Sequence, residues 1–149
     1  MRISIGSDHA GYELKEKVKQ YLTSKQGIEL NDFGCNSEER CDYPDFGHAV
    51  GEDVNNQKCD LGIIICGSGN GINMSANKWS GVRSALCWNS EIAKMARLHN
   101  DANILAMPGR YITEEEAFKC VDEFLNTGFE GGRHEIRVRK ISNRYLKNL

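Results

Sequence analysis

The feature that most constrains the fold is a short apolar run, Leu61-Gly62-Ile63-Ile64-Ile65, which contains no polar position. Such a run is typical of a strand that is buried on both faces. Elsewhere in the chain, apolar runs alternate with segments of helical periodicity. That alternation implies a parallel sheet covered by helices on both sides, so we expect one α/β domain with a three-layer αβα sandwich.

The periodicity predicts five strands and six helices. The strands are predicted at positions 2–5, 28–33, 61–65, 82–87 and 103–107. The helices are predicted at 12–21, from 43 to beyond 54, and at 71–78, 91–99, 114–125 and 133–146. Thr113 is expected to cap the fifth helix, because three glutamates follow it at the positive end of the helix dipole.

Composition excludes several classes of protein. The 149 residues carry a net charge of -2, which does not suit binding to nucleic acid or to an anionic membrane. The six cysteines form no CxxC pair and no zinc-site spacing, and no apolar run approaches the ~20 residues of a membrane span. We therefore expect a cytoplasmic protein with free thiols, no metal and no cofactor, in which the cysteines other than Cys66 are small core residues.

The apolar run ends in Cys66-Gly67-Ser68-Gly69-Asn70-Gly71, just before a predicted helix. Glycines allow a tight turn that presents backbone N–H groups to a ligand, and these groups with the helix start stabilise both a thiolate and an oxyanion. The spacing fits neither the dinucleotide fingerprint, since Ile72 stands where its third glycine should be, nor a phosphate-binding P-loop. A tight turn without a ligand is the alternative.

Two histidines lie at the ends of predicted elements. Asp8 and His9 directly follow the first strand, and His99 ends a helix. A histidine can move protons or bind an anion near neutral pH. The alternatives are a helix cap at Ser7 or Asp8, and a His99 that only complements the helix dipole. His48 and His134 have no motif around them, so we expect both at the surface.

Arginines supply the candidate anion site. Arg133 and Arg137 are four residues apart on the last predicted helix, so they share a face, and Arg110 follows the fifth strand. Paired guanidinium groups suit a phosphate, although a solvated basic helix is the alternative. A thiol base, an oxyanion cradle, a histidine and a phosphate site are together the inventory that aldose–ketose isomerisation of a sugar phosphate requires.

These residues lie in motifs that resemble the family of type B ribose-5-phosphate isomerases, and the resemblance covers nearly the whole chain in order. The motifs are Ser7-Asp8-His9-Ala10-Gly11, Glu39-Arg40-Cys41-Asp42-Tyr43-Pro44, the 66–71 loop with Ala76-Asn77-Lys78, His99-Asn100-Asp101-Ala102-Asn103, and Phe129-Glu130-Gly131-Gly132-Arg133-His134. The resemblance implies a flavodoxin-like fold, no cofactor, and dimers or tetramers whose sites combine residues from two subunits. It also implies that the helix at 133–146 contacts the partner subunit.

The resemblance further implies a role for each candidate residue. Cys66 would move the proton between C1 and C2, and His99 would assist opening of the sugar ring. The backbone of the loop would hold the enediolate, with the Ser68 hydroxyl nearby; its residues are Gly67, Gly69, Asn70 and Gly71. The residues that contact the sugar would be Asp8, Asp42, Tyr43 and Asn100. Those that surround the phosphate would be His9, Arg110, Arg133 and Arg137. We expect His99, Asn100, Arg110 and the C-terminal arginines to meet the Cys66 loop partly across the subunit interface.

Two positions depart from the family pattern and leave the sugar open. Ser68 stands where many members have threonine, and Asn70 replaces a commonly apolar residue. The expected reaction is interconversion of ribose 5-phosphate and ribulose 5-phosphate; a six-carbon substrate such as galactose 6-phosphate or allose 6-phosphate is the alternative. A non-catalytic phosphosugar-binding protein is a further alternative, while a thiol-redox protein is disfavoured because Cys66 has no CxxC partner.

Overall fold

Strands and helices alternate along residues 1–142, the part of the chain that the computed structural model describes. The strands are β1 (Arg2–Ser7), β2 (Glu29–Asp32), β3 (Leu61–Cys66), β4 (Ser84–Leu86) and β5 (Ile104–Pro108). The helices are α1 (Tyr12–Thr23), α2 (Tyr43–Asn55), α3 (Asn70–Ala76), α4 (Ser90–Asn100), α5 (Glu114–Asn126) and α6 (Arg133–Ser142). The α/β prediction is confirmed; positions 143–146 of the last predicted helix lie outside the described residues.

The five strands form one parallel sheet in the order β2-β1-β3-β5-β4. The chain moves outward from β1 to β2 and then crosses back to β3, so the topological switch point lies between β1 and β3. In open α/β sheets, ligands bind outside the carboxyl ends of the strands at such a point. The Asp8-His9 pair and the Cys66 loop follow these two strands.

Alternation along β3 separates the two cores. Ile63 and Ile65 face α1, α4 and α5, whereas Ile64 and Cys66 face α2 and α3. This period of two places the Cys66 thiol in the α2–α3 layer.

Local signals explain several element boundaries. The Thr113 Oγ1 accepts a hydrogen bond from the Glu116 backbone N–H at 3.2 Å, which confirms the predicted cap of α5. β4 is shorter than its predicted run, and all three of its residues are half-buried because it is the edge strand. None of the helices in the described part of the chain is long and apolar enough to cross a membrane.

Most of the cysteines behave as core residues, as predicted. Cys35, Cys59, Cys87 and Cys120 are buried, while Cys41 is partly exposed. Burial raises the pKa of the Cys87 and Cys120 thiols to about 12. Burial, together with the neighbouring Cys35, raises the pKa of Cys41 to about 11. These three thiols are protonated near neutral pH and cannot serve as bases.

Candidate functional site

Asp8 is fixed at the switch point by the backbone around it. Its N–H donates to the Ile65 carbonyl of β3 at 3.2 Å, and its Oδ1 accepts the Gly11 N–H at 3.0 Å. A side chain at Gly11 would place its Cβ 2.5 Å from the Ile65 oxygen, so only glycine lets the turn lie this close to β3. Asp8 therefore does bond to the start of α1, as the capping alternative supposed, but that bond uses one carboxylate oxygen and leaves the other.

The Cys66 side chain is 4% exposed, at the last position of β3. Beyond it the chain turns sharply, and Gly69 takes a left-handed conformation with φ of +76° before α3 starts. A side chain there would lie 3.0 Å from the Met107 carbonyl carbon. The loop is thus packed directly against β5.

Tyr43 closes the α2 side of the loop. A Cβ at Gly71 would lie 2.5 Å from the Tyr43 Cζ, so the phenol ring lies flat against bare backbone. Asp42 precedes it at the N-cap of α2, where its carboxylate makes no capping hydrogen bond and is exposed. The predicted sugar-contacting pair therefore lies beside the glycine loop.

Two cationic or ionisable groups flank the other side of the loop. The Arg110 N–H donates to the Gly67 carbonyl at 3.0 Å, and its Nη1 would be 3.7 Å from a Cβ at Gly67. The His9 Nδ1 lies 3.2 Å from the Cys41 carbonyl oxygen and 3.3 Å from the Cys41 nitrogen. The Cys41 backbone can hold the imidazole whether Nδ1 carries a proton or not.

Ser68 and Asn70 contact each other rather than the protein interior. Both are exposed, and the Ser68 Oγ accepts from the Asn70 backbone N–H at 3.4 Å and from its Nδ2 at 3.5 Å. The two positions that depart from the family pattern therefore form one polar pair at the rim of the loop.

His99 and Asn100 lie at the opposite end of the strands, the amino ends. Because α4 runs from the carboxyl end of β4 back to the start of β5, its last turn reaches the amino ends of the strands. The Arg83 Nε, just before β4, donates to the Asn100 carbonyl at 3.2 Å. Within one chain, these two residues are therefore separated from Cys66 by the length of the sheet.

The surroundings of His99 correct one prediction. His134, expected at the surface, is 5% exposed, because its ring stacks on His99 with centroids 4.3 Å apart and an interplanar angle of 10°. His48 is exposed, as predicted. The His99 Nε2 lies 3.7 Å from the Glu130 Oε2.

Ligand atoms of His99, Glu130 and His134 lie within 4.8 Å of one another, a spacing that can mark a metal site. The ring geometry argues against one. Imidazole lone pairs lie in the ring plane, so two nearly parallel rings cannot both aim at a single ion about 2.0–2.1 Å away.

Arg133 and Arg137 lie on α6, which packs on α4, and both are exposed. Among residues 1–142, no carboxylate comes within 4.0 Å of either guanidinium group. The Ser142 Oγ, near the end of α6, donates to the Ser80 carbonyl at 3.3 Å, which anchors the helix near the amino ends of the strands. The arginine pair thus accompanies His99 and not Cys66.

A network that sequence reasoning missed holds the end of α4 in place. Asp101 caps the helix in a left-handed conformation with φ of 45°, and its carboxylate binds Arg83 at 2.8 Å and Arg97 at 3.3 Å. Asp101 was visible as the third residue of the His99-Asn100-Asp101 motif. Nothing in the sequence linked it to the two arginines.

The predicted residues therefore form two groups. The first group lies at the carboxyl ends of the strands, and we call it the thiol half-site. Its members are Asp8, His9, Asp42, Tyr43, Cys66, Gly67, Ser68, Gly69, Asn70, Gly71 and Arg110. The second group lies at the amino ends of the strands, and we call it the histidine half-site. Its members are His99, Asn100, Arg133 and Arg137. Arg110, expected to reach the loop partly across an interface, contacts Gly67 of its own chain.

Known proteins with a similar sequence and fold match nearly the whole chain. A family described as ribose/galactose isomerase matches residues 3–141. Ribose-5-phosphate isomerase B of Escherichia coli is 40% identical over 141 residues, covering 95% of this chain and 94% of that protein. The structure of the Clostridium thermocellum ribose-5-phosphate isomerase B is 50% identical, with a TM-score of 0.93 and 95% of each chain covered. The Mycoplasma genitalium enzyme, solved with bound ribulose-5-phosphate, is 42% identical, with a TM-score of 0.91 over 99% of this chain and 97% of that one.

Proposed function

This chain belongs to the ribose/galactose isomerase family, and from that premise we propose that it interconverts D-ribose 5-phosphate and D-ribulose 5-phosphate. The observation that carries the proposal is the thiol half-site. Cys66 ends the central strand at the switch point, with a glycine loop on one side and Asp8 on the other. A relative in the same family has been solved with the ketose product bound.

The reaction moves one proton between carbons and one between oxygens. The Cys66 thiolate takes the proton from C2 of the open-chain aldose and returns it to C1, while a proton passes from O2 to O1. The negative charge that develops on the enediolate oxygens is stabilised by N–H groups of the 67–71 loop, with the Ser68 hydroxyl at its rim. All bonds made and broken involve only the sugar and exchangeable protons, so the scheme needs no cofactor or metal.

The phosphate and the sugar ring require the histidine half-site. His99 assists ring opening by moving a proton to or from the ring oxygen, and Asn100 and Asp8 bind sugar hydroxyls. His9 and Arg110 approach the phosphate from the thiol half-site, and Arg133 and Arg137 approach it from the other. A guanidinium group suits this role because it forms paired hydrogen bonds to phosphate oxygens.

Since the half-sites lie at opposite ends of the strands of one sheet, each complete site combines residues from two copies of the chain. A two-fold axis perpendicular to the strands places the thiol half-site of one copy against the histidine half-site of the other, and it does so twice in a dimer. Exposed apolar residues around the edge strand β4 support a second copy there: Met74, Trp88 and Ile141. Helix α6, within the predicted 133–146 helix, then lies at the interface, in a homodimer or in a tetramer built from it.

The cysteines support a cytoplasmic location. All six are unpaired in the structure, as in proteins of reducing compartments.

A panel of sugar phosphates tests the proposal directly. Purified protein is assayed with ribose 5-phosphate, galactose 6-phosphate and allose 6-phosphate, and solvent deuterium incorporation is followed at C1 of the ketose. We expect the highest kcat/KM with ribose 5-phosphate. A higher kcat/KM with either six-carbon substrate would reassign the substrate, and binding without turnover or deuterium exchange would make the chain a non-catalytic sugar-phosphate-binding protein.

A further inference from the structure

His134 is a buried titratable residue that the proposed reaction does not use. Its ring lies parallel to that of His99, with 4.3 Å between centroids, and is 5% exposed, whereas the His99 side chain is 37% exposed. The His99 ring therefore faces the open side of the histidine half-site, and the His134 ring is buried beneath the His99 ring.

No hydrogen bond explains how His134 acts on its neighbour. Its backbone N–H donates to the Gly131 carbonyl at 3.0 Å, which fixes the start of α6. Its Nε2 is buried and, among residues 1–142, has no hydrogen-bond partner. What His134 offers His99 is therefore the flat face of its ring.

Burial and neighbouring positive charge disfavour the protonated form of His134. Burial lowers its pKa below the usual value, and His99, Arg133 and Arg137 lower it further, while Glu130 acts in the opposite direction. The Glu130 Oε2 lies 3.7 Å from the His99 Nε2, so a carboxylate also lies beside the stacked rings.

The backbone supports the same arrangement. The Glu130 N–H donates to the Leu98 carbonyl at 3.0 Å, so the segment that leads into α6 is joined to the last turn of α4. The two rings thus lie on helices α4 and α6, and this hydrogen bond fixes the position of one helix relative to the other close to the stacked rings. Proton transfer is sensitive to this, because small misplacements of an acid or base cost large factors in rate.

We propose that His134 is a positioning residue for His99, holding the His99 imidazole by its ring face in the orientation from which it transfers a proton to the sugar ring. The inference rests on the proposed function, in which His99 assists ring opening. Ribulose 5-phosphate offers an internal comparison, since a ketose with its O5 phosphorylated cannot close a five-membered ring.

Four variants test the stack: His134→Ala, His134→Asn, His134→Phe, and His48→Ala as a control at an exposed histidine. We expect His134→Ala and His134→Asn to lower kcat from ribose 5-phosphate roughly 10-fold with less than about 2-fold change in KM. From ribulose 5-phosphate, we expect kcat to fall less than about 3-fold and KM to rise, because the equilibrium constant fixes the ratio of kcat/KM in the two directions. His134→Phe keeps a flat ring and should retain most of the activity, and His48→Ala should match the wild type.

NMR supplies a readout that does not depend on turnover. Stacked rings shift each other's carbon-bound proton resonances, so the His99 ring signals should move in His134→Ala and His134→Asn. They should stay displaced from random-coil positions in His134→Phe. Circular dichroism checks that each variant is folded.

Three results would overturn the proposal. They are unchanged kcat and unchanged His99 signals in His134→Ala, equal losses of kcat from both substrates, and a higher kcat in His134→Asn than in His134→Phe, which would assign the role to a hydrogen bond through Nε2. A wild type that is inactive on ribose 5-phosphate would refute the proposed function instead, and the NMR comparison would still decide whether the stack orients His99.

Discussion

The two half-sites differ in how they are built. In the thiol half-site, backbone constraints fix nearly everything: Gly69 in a left-handed turn, Gly71 against the Tyr43 ring, and a thiol that is almost fully buried. In the histidine half-site, partly or fully exposed side chains project from helices, and Arg133 and Arg137 have no acidic partner among residues 1–142. The rigid half-site suits bond-breaking chemistry, and the exposed half-site suits capture of a charged ligand.

Among substitutions in the two half-sites, replacing the Cys66 thiol should lower turnover the most. We expect Cys66→Ala to lower kcat roughly 10²-fold or more while substrate binding stays largely intact, because the base is removed and the phosphate contacts are not. Steady-state kinetics and calorimetric binding of ribose 5-phosphate check this. A variant that keeps most of its turnover would remove Cys66 from the role of base.

In the histidine half-site, the expected effect falls on binding. Arg137→Ala should raise KM roughly 10-fold with little change in kcat, because it removes charge-assisted hydrogen bonds worth about 1.5–3 kcal/mol each. Arg139→Ala is the matched control, since it is exposed on the same helix but about 200° away from Arg137 around the axis. Equal effects of the two substitutions would mean that only the general positive charge of α6 matters.

Two glycines with similar backbone angles separate local strain from function. Gly69 has φ of +76° in the loop, and Gly27 has φ of +78° in a turn where a Cβ would contact nothing within 4 Å. Gly27→Ala should cost about 1–2 kcal/mol of stability because its φ is positive, and Gly69→Ala should cost more because its Cβ would also lie 2.4 Å from the Leu86 Cδ1. Only Gly69→Ala should also lower kcat, by roughly 3- to 10-fold, because it displaces the loop from β5. An activity loss of the same size in Gly27→Ala would mean that reduced stability explains both.

The smallest effect concerns pH. Burial lowers the pKa of His134 in the folded protein, so as pH falls below about 6.5 the unfolded chain binds a proton that the folded chain does not. The free energy of unfolding should therefore decrease between pH 7 and pH 5. His134→Phe should show a weaker decrease in denaturant titrations over this range, and identical slopes would contradict the burial argument.

The thiol half-site could largely be predicted from the sequence, because its parts directly follow strands. Parallel strands bring their carboxyl ends to one edge, so Asp8, Cys66 and Arg110 had to lie together once the strands were recognised. The location of His99 depends on the length and direction of α4 across the sheet, and the exact strand order has no local signal. The burial of His134 was missed for a similar reason: no periodicity indicates that one ring of α6 will lie on the last turn of α4.

Each proposed site uses Cys66 from one copy and His99 from another, and mixing two defective variants tests this sharing. Cys66→Ala and His99→Ala chains are co-expressed in equal amounts and assayed with ribose 5-phosphate. If the sites are shared, random pairing leaves about one quarter of them with both residues intact, and the mixture should recover about one quarter of wild-type kcat. Activity no higher than the mean of the two variants measured separately would contradict the account.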